Sequence, residues 1–430
     1  MAKVQKIPVG RKPGQRKVEL PEEVQVSLQE IAGRTKQGLL AFAVGVGLEV
    51  FRTLLGEDVH QIVGPKSKHD PDRTCYRHSP EGSSVPLGGR RVGIEKPKVR
   101  SVAGEEIILP TWAAFQGDEI LTEMATERML AALSSRHYPV GLEPVGVEGS
   151  GTSKSAVSRR FIARTRTALG ELLARDLAEL RICAIFGDGL ELSGHLIVAA
   201  IGVDLQGRKH VLGIKEGSSE NSTVCKGLLS DLTDRGLDVS DGILLVLDGN
   251  KGWKKAVAEL FGSLALVQRC RLHKCRNILG YLPEHMHTEV RRKLRKAWGE
   301  KRHEDALAEL TKLAKWLEHR GHPSAAGSVR EGLEETLTIT KLGVPPALAR
   351  TLYSTNVVES AFSVARVVMG NVKRWRPRSK SHMIERWCAA GLLVAEGQFR
   401  RVNGYREIPF LVAALKAHAA KVSEPDARVA

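Results

Sequence analysis

A mixed α/β fold is what the sequence predicts, because strand-like and helix-like segments alternate between residues 181 and 282. "RICAIFGDGLEL", "HLIVAAIGVDLQG" and "RKHVLGIKEG" are apolar runs separated by short turns, which predicts three strands in an antiparallel meander. A helix, a strand, a second helix and a last short strand follow. This order is that of a ribonuclease-H-like fold, in which the strands ending at Asp188 and Asp248 are neighbours.

The elements after the meander have clear local signals. In "ENSTVCKGLLSDLTDRG", Val224, Leu228 and Leu232 fall on one face of a helix, and Gly236 is placed to end it. "GILLVLDG" predicts a strand with a parallel partner, because a helical connection precedes it. "GWKKAVAELFG" predicts a helix, "LALVQRC" a fifth strand, and "LHKCRNILGYL" a further helix.

Helical periodicity then continues without strands. The stretch that begins "VRRKLRKAWGEKRHEDALAELTKLAKWLEHRG" places Leu307, Leu310, Ala314 and Leu317 on one stripe. We interpret this stretch as an all-α insertion that interrupts the core.

The chain therefore divides into six parts. These are a basic flexible arm over 1–20, an N-terminal DNA-binding region over 21–175, the first part of the ribonuclease-H-like core over 180–282, the all-α insertion over 283–350, the second part of the core with a glutamate-bearing helix and a basic loop over 351–405, and a C-terminal helix and tail over 406–430. The N-terminal region is predicted to be mainly helical, with a small β segment at 73–111.

Composition narrows the class of partner. The chain has 430 residues, and its 65 Lys and Arg against 49 Asp and Glu give a net charge of +16. This excess favours a polyanion, nucleic acid first, although a merely basic soluble enzyme is the alternative. No GxxxxGK[ST] motif occurs, so no nucleotide cofactor is expected.

Cysteine usage and hydropathy predict a cytoplasmic, nucleoid-associated protein with no membrane partner. None of the six cysteines forms a CxxC pair, which suggests reduced thiols. The longest apolar run, "LLAFAVGVGLEVF", is interrupted by Glu49 and is shorter than the ~20 residues that span a bilayer.

Two basic segments are candidates for DNA contact. The first is a candidate helix-turn-helix over 118–169, whose second helix carries Arg159, Arg160 and Arg164; an ordinary basic helix is the alternative. The second is "NVKRWRPRSK". It combines Lys373, Arg374, Arg376 and Arg378, which would grip phosphate, with Trp375, which could stack on a base or instead be buried in the core.

Two strands end in Asp-Gly, at Asp188 and Asp248. Phosphoryl transfer on DNA needs a positioned nucleophile and neutralised charge, which two Mg²⁺ ions about 3.5–4 Å apart supply. Mg²⁺ prefers oxygen ligands, and Mn²⁺ would substitute for it, so carboxylates at rigid strand ends are candidate ligands. An ordinary Asp-Gly turn is the alternative for either residue alone.

Glu359 is the candidate third carboxylate. It opens a helix in "STNVVESAFSVARVVMG", where Val358, Ala361, Phe362 and Ala365 would pack on the sheet. Asn356 and Glu359 also have the spacing of a capping box. Glu334 and Glu335 in the predicted insertion are rival ligands, and the residues alone leave these alternatives open.

Cys270 and His273 form a Cys-x2-His element in "VQRCRLHKCRN". A structural zinc site needs four ligands, and no second pair has matching spacing, so no zinc is expected.

The ordered blocks "FGDGLEL", "IGVDLQGRKHVLGIKEGSSEN", "LLSDLTDRGL", "LLVLDGNKGWKKA", "LVQRCRLHKCRNILGYLP", "STNVVESAFS" and "NVKRWRPRS" resemble the Mutator-like transposases of bacterial insertion sequences, of the insertion-sequence-256 type. The resemblance runs from about Asp188 to about Tyr405. It implies a DDE triad of Asp188, Asp248 and Glu359 in a ribonuclease-H-like core split by an all-α insertion. It also implies that Cys270 and His273 belong to the active-site region, where we expect them to support the site.

The expected function is thus a DNA transposase that binds the terminal inverted repeats of its element as a homodimer on paired ends. It would catalyse metal-dependent cleavage and strand transfer on double-stranded DNA. The alternatives are a catalytically inactive or domesticated DNA-binding protein and a structure-selective nuclease of the same fold.

Overall fold

The computed structural model describes residues 38–68, 70–142, 149–192, 194–217, 219–370, 372, 374–375 and 382–423. The arm predicted over 1–20 lies outside them, as do Lys373, Arg376 and Arg378 of the predicted basic loop. The chain separates into two compact units, one of residues 1–121 and 139–153, the other of residues 122–138 and 154–430.

The first unit is a long helix packed on a small antiparallel sheet. Its elements are α1 (Gly38–Val63), β1 (Cys75–Leu87), β2 (Arg90–Ser101), β3 (Glu106–Ile107), α2 (Pro110–Phe115) and β4 (Gly149–Ser150). Gly88 and Gly89 both have positive φ, and this lets the chain reverse directly between β1 and β2. Val44, Leu48 and Phe51 lie three or four residues apart on α1 and are buried against the sheet. The small β segment predicted at 73–111 is therefore present.

The second unit contains the larger sheet and most of the helices. After α3 (Glu119–Leu130), which begins in the first unit, its elements are α4 (Lys154–Leu173), β5 (Ile182–Leu192), β6 (His195–Asp204), β7 (Lys209–Gly217), α5 (Ser222–Asp234), β8 (Ile243–Leu247), α6 (Lys251–Phe261), β9 (Ala265–Arg269), α7 (Arg271–Leu279), α8 (Glu284–Gly299), α9 (His303–His319), α10 (Pro323–Arg330), α11 (Thr338–Lys341), α12 (Pro346–Leu352), α13 (Asn356–Met369), α14 (Met383–Gly397) and α15 (Ile408–Ser423). Together the two units form a mixed α/β structure with two sheets.

The five-stranded sheet has the order β7-β6-β5-β8-β9. β5, β6 and β7 form the predicted antiparallel meander, and β8 and β9 lie parallel to β5 and β8 respectively. Every residue of β8 is buried, because helices cover the central strands. The predicted strand order and directions are confirmed in this region.

β5 differs from the prediction at its end. The sequence places the end of this strand at Asp188, whereas β5 continues to Leu192. Its parallel pairing with β8 does stop at Gly187, but its antiparallel partner β6 continues to pair as far as Leu192 with His195. Asp188 therefore lies where one of its two neighbouring strands ends.

α4 belongs to the second unit, although the sequence places it in an N-terminal region that ends at residue 175. The reason is its apolar face, which packs on α14 and β7; the rings of Phe161 and Trp387 are 4.4 Å apart. Residues 131–153 separate α3 from α4. A helix-turn-helix has a turn of about three or four residues, so these two helices do not form that compact motif.

A helical segment, residues 284–352, lies between α7 and α13 and has a hydrophobic cluster of its own. Leu310, Ala314 and Leu317 of the predicted stripe are buried there, and Leu307 is half-buried. The segment thus folds around its own apolar interior, as the sequence pattern indicates.

α13 packs against β5, β6 and α14. Val358, Ala361, Phe362 and Ala365 are buried, as predicted. At Gly391 of α14, an added Cβ would lie 2.7 Å from the Cα of Ala365, so only glycine allows the two helices this close approach. This contact holds α13 against the sheet.

All six cysteines are free thiols. Among the described residues, no helix is both long and apolar enough to cross a bilayer.

Candidate active site

Asp188 and Asp248 follow the last register pair of the adjacent strands β5 and β8. Gly187 of β5 and Leu247 of β8 are register partners in a parallel pair, and each is followed directly by an aspartate. Parallel neighbours point their carboxyl ends to the same edge of the sheet. The structure therefore brings together the two aspartates that lie 60 positions apart in the sequence.

The Asp188 carboxyl is in an environment that disfavours its charge. Burial, followed by the nearby charges of Asp248 and Glu359, raises its pKa to about 6, against the lowering effect of a hydrogen bond from the Gly189 amide. That amide donates to Asp188 Oδ1 at 2.8 Å. A partly buried carboxylate with acidic neighbours is a group that a bound cation would stabilise.

Asp248 is fixed by the start of α6. The Asn250 amide donates to Asp248 Oδ1 at 2.7 Å, and the Asn250 side chain caps the helix by accepting from the Gly252 amide. The Asp-Gly pair also forms a turn. Gly249 has a φ of 103°, and a Cβ added there would collide with the Arg269 guanidinium. The same turn therefore fixes the position of the Asp248 carboxylate.

Glu359 lies in the first turn of α13 and is half-buried. Thr355, the residue that caps this helix, donates from its hydroxyl to Glu359 Oε1 at 2.8 Å. The capping-box alternative is not supported, because Asn356 is the first helical residue and its side chain is exposed. The Glu359 carboxylate instead lies close enough for its charge to act on Asp188.

Cys270 and His273 both contact Thr355, whose hydroxyl donates to Glu359. The Cys270 sulfur accepts from the backbone amides of His273 and Thr355 at 3.5 and 3.4 Å, and the Thr355 hydroxyl lies 3.4 Å from the same sulfur. His273 Nδ1 lies 3.3 Å from the Thr355 hydroxyl and 3.8 Å from Glu359 Oε1. Cys270 and Thr355, which are 85 positions apart in the sequence, thus belong to one network around the Glu359 carboxylate.

The hydrogen bonds and charges of this network favour a protonated His273 and a more acidic Cys270 thiol. The hydrogen bond with Cys270 is the largest cause that raises the pKa of His273 to about 9, and the charges of Asp188 and Glu359 act in the same direction. Burial alone would raise the pKa of Cys270, but hydrogen bonds from His273 and Thr355 bring it below its ordinary value. A protonated His273 can donate from Nδ1 to Thr355 while Thr355 donates to Glu359.

Cys270, His273 and Glu359 offer ligand atoms that all lie within 4.8 Å of one another, a grouping that could hold a metal ion. Within the described part of the chain, Asp188 and Asp248 do not join a group of that compactness. The Cys270 sulfur already accepts hydrogen bonds from two backbone amides, which is consistent with support of the site.

Glu220 is a fourth carboxylate at this edge of the sheet, and the sequence analysis missed it. It accepts from Trp253 Nε1 at 2.5 Å and from Asn250 Nδ2 at 3.2 Å. Burial, followed by the charge of Asp248, raises its pKa to about 7. It lies within "SSEN", just before α5, a polar stretch that carries no local signal of burial. Its contacts with Asn250 and Trp253, 30 and 33 positions further on, place it there.

The rival carboxylates of the helical segment are paired with cations. Glu334 is 2.9 Å from His303 Nε2, and Glu335 forms an ion pair with Lys254. Lys254 belongs to α6, so Glu335 ties the helical segment to the helix that follows Asp248.

The candidate DNA-binding residues are only partly described. On α4, Arg159 and Arg164 are exposed and Arg160 is half-buried. In the basic loop, Arg374 is exposed and Trp375 is half-buried. Their contact with DNA stays a prediction.

Comparison with known proteins gives a consistent result. Residues 35–382 match the family described as "Transposase, Mutator family". The chain is 26% identical over 322 residues to the transposase of insertion sequence element ISRM5 of Rhizobium meliloti, an alignment that covers 72% of this chain and 78% of that protein. It is 27% identical over 259 residues to the transposase of IS6120 of Mycolicibacterium smegmatis, covering 57% of this chain and 74% of that protein. It is 29% identical over 184 residues to a probable insertion-sequence transposase of Corynebacterium diphtheriae, covering 41% of this chain and 52% of that protein.

Proposed function

Because the chain belongs to the Mutator family of transposases, we propose that Asp188, Asp248 and Glu359 form its catalytic triad for DNA cleavage and strand transfer. The observation that carries this proposal is the placement of Asp188 and Asp248 directly after the last register pair of the parallel strands β5 and β8. Glu359 contributes its charge to the same place from a helix packed on β5 and β6.

The topology of the second unit supports a ribonuclease-H-like core. Three antiparallel strands are followed by two parallel ones, in the order β7-β6-β5-β8-β9. The helical segment over 284–352 enters between β9 and α13, which is where an insertion would separate the aspartates from the glutamate.

The donor set fits a divalent cation such as Mg²⁺ or Mn²⁺. Asp188, Asp248 and Glu359 offer hard carboxylate oxygens. Burial, followed by the charges of Asp248 and Glu359, raises the pKa of Asp188, and a cation there would favour the charged carboxylate. Bound there, Mg²⁺ would neutralise charge on the phosphoryl group and orient the attacking and leaving oxygens.

The reaction has two chemically equivalent steps. In the first, a water oxygen forms a bond to phosphorus at the end of the element and the P–O3′ bond breaks, which leaves a 3′-hydroxyl. In the second, that hydroxyl oxygen forms a bond to a phosphorus of target DNA and displaces the 3′-oxygen of the target strand. Each step is an in-line displacement, so rigid placement of the carboxylates matters more than their basicity.

The surrounding residues provide this rigidity. Thr355 and His273 orient Glu359, and the Asn250 amide orients Asp248. Glu220 joins Asn250 to Trp253, and Trp253 lies against Gly187, where an added Cβ would be 2.9 Å from its ring. We assign Glu220, Thr355 and Cys270 as positioning residues.

DNA of the terminal inverted repeats is the proposed substrate, bound as a pair of ends by two copies of the chain. Arg159, Arg160 and Arg164 on α4, with Arg374 and Trp375, are the proposed DNA contacts among the described residues. The net charge of +16 supports binding to a polyanion.

The test is cleavage of a plasmid carrying the DNA that flanks the coding region on both sides, with Mg²⁺ or Mn²⁺. We expect the wild type to nick at the element ends and to join the freed 3′ ends to new DNA. Asp248→Asn and Glu359→Gln should bind the same DNA and yield no nick. Glu334→Gln, which alters a carboxylate paired with His303, is the matched control and should cleave normally.

Three results would redirect the assignment. Cleavage by Asp248→Asn at the wild-type rate would remove this residue from the site. Binding without cleavage by the wild type would favour a non-catalytic DNA-binding protein. Nicking without rejoining of 3′ ends would favour a nuclease.

A further inference from the structure

A basic groove of about 490 Å³ borders the helix that carries Glu359. Its walls come from β7, α12, the first turns of α13, and the segment 395–403 at the end of α14. Four basic residues line it: Lys209, Arg350, Arg400 and Arg401. None of the described residues that line it is acidic. A groove with charge of one sign concentrates anions.

The basic side chains are held at the groove by packing rather than by carboxylates. Lys209 Nζ lies 4.9 Å from the centre of the Phe399 ring, and the Arg401 guanidinium lies 5.0 Å from that of Tyr405. Arg350 and Arg400 are exposed. Their positive charges are therefore directed to whatever enters the groove.

The start of α13 opens into the same groove. Asn356 and Val357, the first two residues of this 14-residue helix, both line it. Backbone amides in the first turn of a helix have no partner within the helix, and the helix dipole adds partial positive charge there. Such a terminus is suited to a phosphate.

Ser354 provides an independent sign of a missing ligand. It lines the groove and is only 1% exposed, yet its hydroxyl has no hydrogen-bond partner among the described residues. Buried hydroxyls are normally hydrogen-bonded, because an unpaired one is destabilising. The Ser354 oxygen is itself buried, so a phosphate oxygen at the start of α13 would reach it if the side chain rotated toward the groove.

We propose that this groove binds the phosphodiester backbone of DNA, with one phosphate at the start of α13 beside Ser354. The proposal rests on the proposed function and adds where the strand lies next to the site. Val357 and Ser360 line the groove from the helix that carries Glu359, whereas Glu359 does not line it, so a strand in the groove would follow a different face of that helix.

A DNA strand suits the groove better than a single small anion. The cations of the groove are contributed by three separate segments, around residues 209, 350 and 400–401. A lone phosphate could contact the helix start but would leave the remaining cations without a partner. Successive phosphates of one strand would engage them all.

The experiment is a salt titration of binding to a fluorescein-labelled duplex of random sequence, in EDTA so that no cleavage occurs. The variant is Arg350→Ala/Arg400→Ala. The matched control is Arg181→Ala/Arg302→Ala, two arginines that are 66% and 74% exposed and lie away from the groove. Log affinity falls as log salt rises. For the groove variant we expect this slope to become less steep by about 0.9 for each phosphate contact removed, whereas the control should keep the wild-type slope.

Ser354→Ala gives a second readout that a purely structural serine would not produce. Because the buried hydroxyl has no partner in the free protein, its removal should leave the thermal midpoint unchanged or raise it, while the affinity for duplex falls several-fold. A lower midpoint with unchanged affinity would contradict the assignment of Ser354.

The outcomes separate this inference from the proposed function. If the groove variant, its control and the wild type have equal salt slopes, the groove does not bind DNA. This conclusion holds even if Asp248→Asn abolishes cleavage and so supports the proposed triad. If inorganic phosphate stabilises the wild type but not the groove variant, while duplex binding is equal in both, the groove binds a free anion and the inference is wrong. If Asp248→Asn cleaves normally while the groove variant loses slope, the groove stands and the triad fails.

Discussion

Glu220 accepts a 2.5 Å hydrogen bond from the indole nitrogen of Trp253, and the same carboxylate accepts from Asn250 at 3.2 Å. Trp253 is fully buried against Gly187, the residue before Asp188, while the Asn250 amide holds Asp248. Glu220 therefore connects Trp253, which packs beside Asp188, with Asn250, which holds Asp248. It does so from the start of α5, an element that carries neither of them.

Trp253→Phe removes this link and also leaves a cavity, because the buried indole is larger than a phenyl ring. We expect it to lower the free energy of unfolding by about 2–4 kcal/mol, since the cavity adds to the loss of a donor for a Glu220 oxygen. DNA cleavage should fall more than DNA binding. Denaturant unfolding and single-turnover cleavage measure the two effects. Trp316→Phe, in the helical segment, is the control and should leave cleavage unchanged; equal losses in both variants would mean that the indole nitrogen of Trp253 has no special role.

Asp188→Asn should stabilise the metal-free protein. The carboxylate is largely buried near Asp248 and Glu359, so removing its charge relieves repulsion and desolvation by about 1–2 kcal/mol. With Mn²⁺ present the wild type should be the more stable of the two proteins, because it gains binding energy that the variant lacks. Unfolding midpoints in EDTA and in Mn²⁺ test this crossover. Parallel behaviour of the two proteins in both media would argue against a cation at Asp188.

Thr355→Val should impair cleavage while preserving side-chain volume. The variant loses the hydroxyl that donates to Glu359 at 2.8 Å and lies 3.3 Å from His273. We expect a fall of about tenfold or more in the rate of cleavage, the equivalent of one buried hydrogen bond to a charged group. Thr355→Ser keeps the hydroxyl and should recover most of the rate. A slow serine variant would assign the effect to packing.

Asp204 makes a pH-dependent contribution to stability at the opposite end of β5 from Asp188. It is 2% exposed and accepts from the amides of Gln206 and Arg208, from the Arg208 side chain and from His210. Burial alone would raise its pKa, but hydrogen bonds from His210 and Arg208 hold the pKa below the ordinary 3.8.

A carboxylate whose pKa is lower in the folded state stabilises the protein above the unfolded pKa, and this stabilisation is lost as pH falls through the folded value. Asp204→Asn should therefore cost about 1–3 kcal/mol near neutral pH, and the gap to the wild type should narrow below about pH 4. Denaturant unfolding across this range measures the gap. A gap that is independent of pH would mean that the charge of Asp204 does not contribute. Cleavage should be unaffected, because the residue is remote from the triad.

Local sequence patterns were sufficient for the sheet that bears the two aspartates. The runs that form β5, β6, β7, β8 and β9 are apolar and bounded by turn residues, and their directions follow from the length of each connection. The turn at Asp204 and the buried stripe of α9 were also predictable, because their signals lie within a few residues of each other. The assignment of the chain to its family agrees with the blocks that carry the resemblance.

Contacts between distant segments were not predictable in this way. The sequence pattern of α4 did not reveal its packing against Trp387, because an apolar face does not specify its partner. Glu220 was overlooked because its burial depends on Trp253, 33 positions further on. The choice between a capping role and a site role for Glu359 depended on Thr355 and on Cys270, which lies 85 positions before that threonine.

By itself the sequence determined which segments become strands, that Asp248 follows one of them, and that the chain carries the charge for a polyanion, since periodicity, turn chemistry and composition are local properties. The end of β5, by contrast, was predicted at Asp188 and lies at Leu192. Only the tertiary structure decided which side chains surround those aspartates and which cations share a groove with α13. These are properties of side chains from separate segments, and the packing of helices on the sheet brings them within hydrogen-bonding distance.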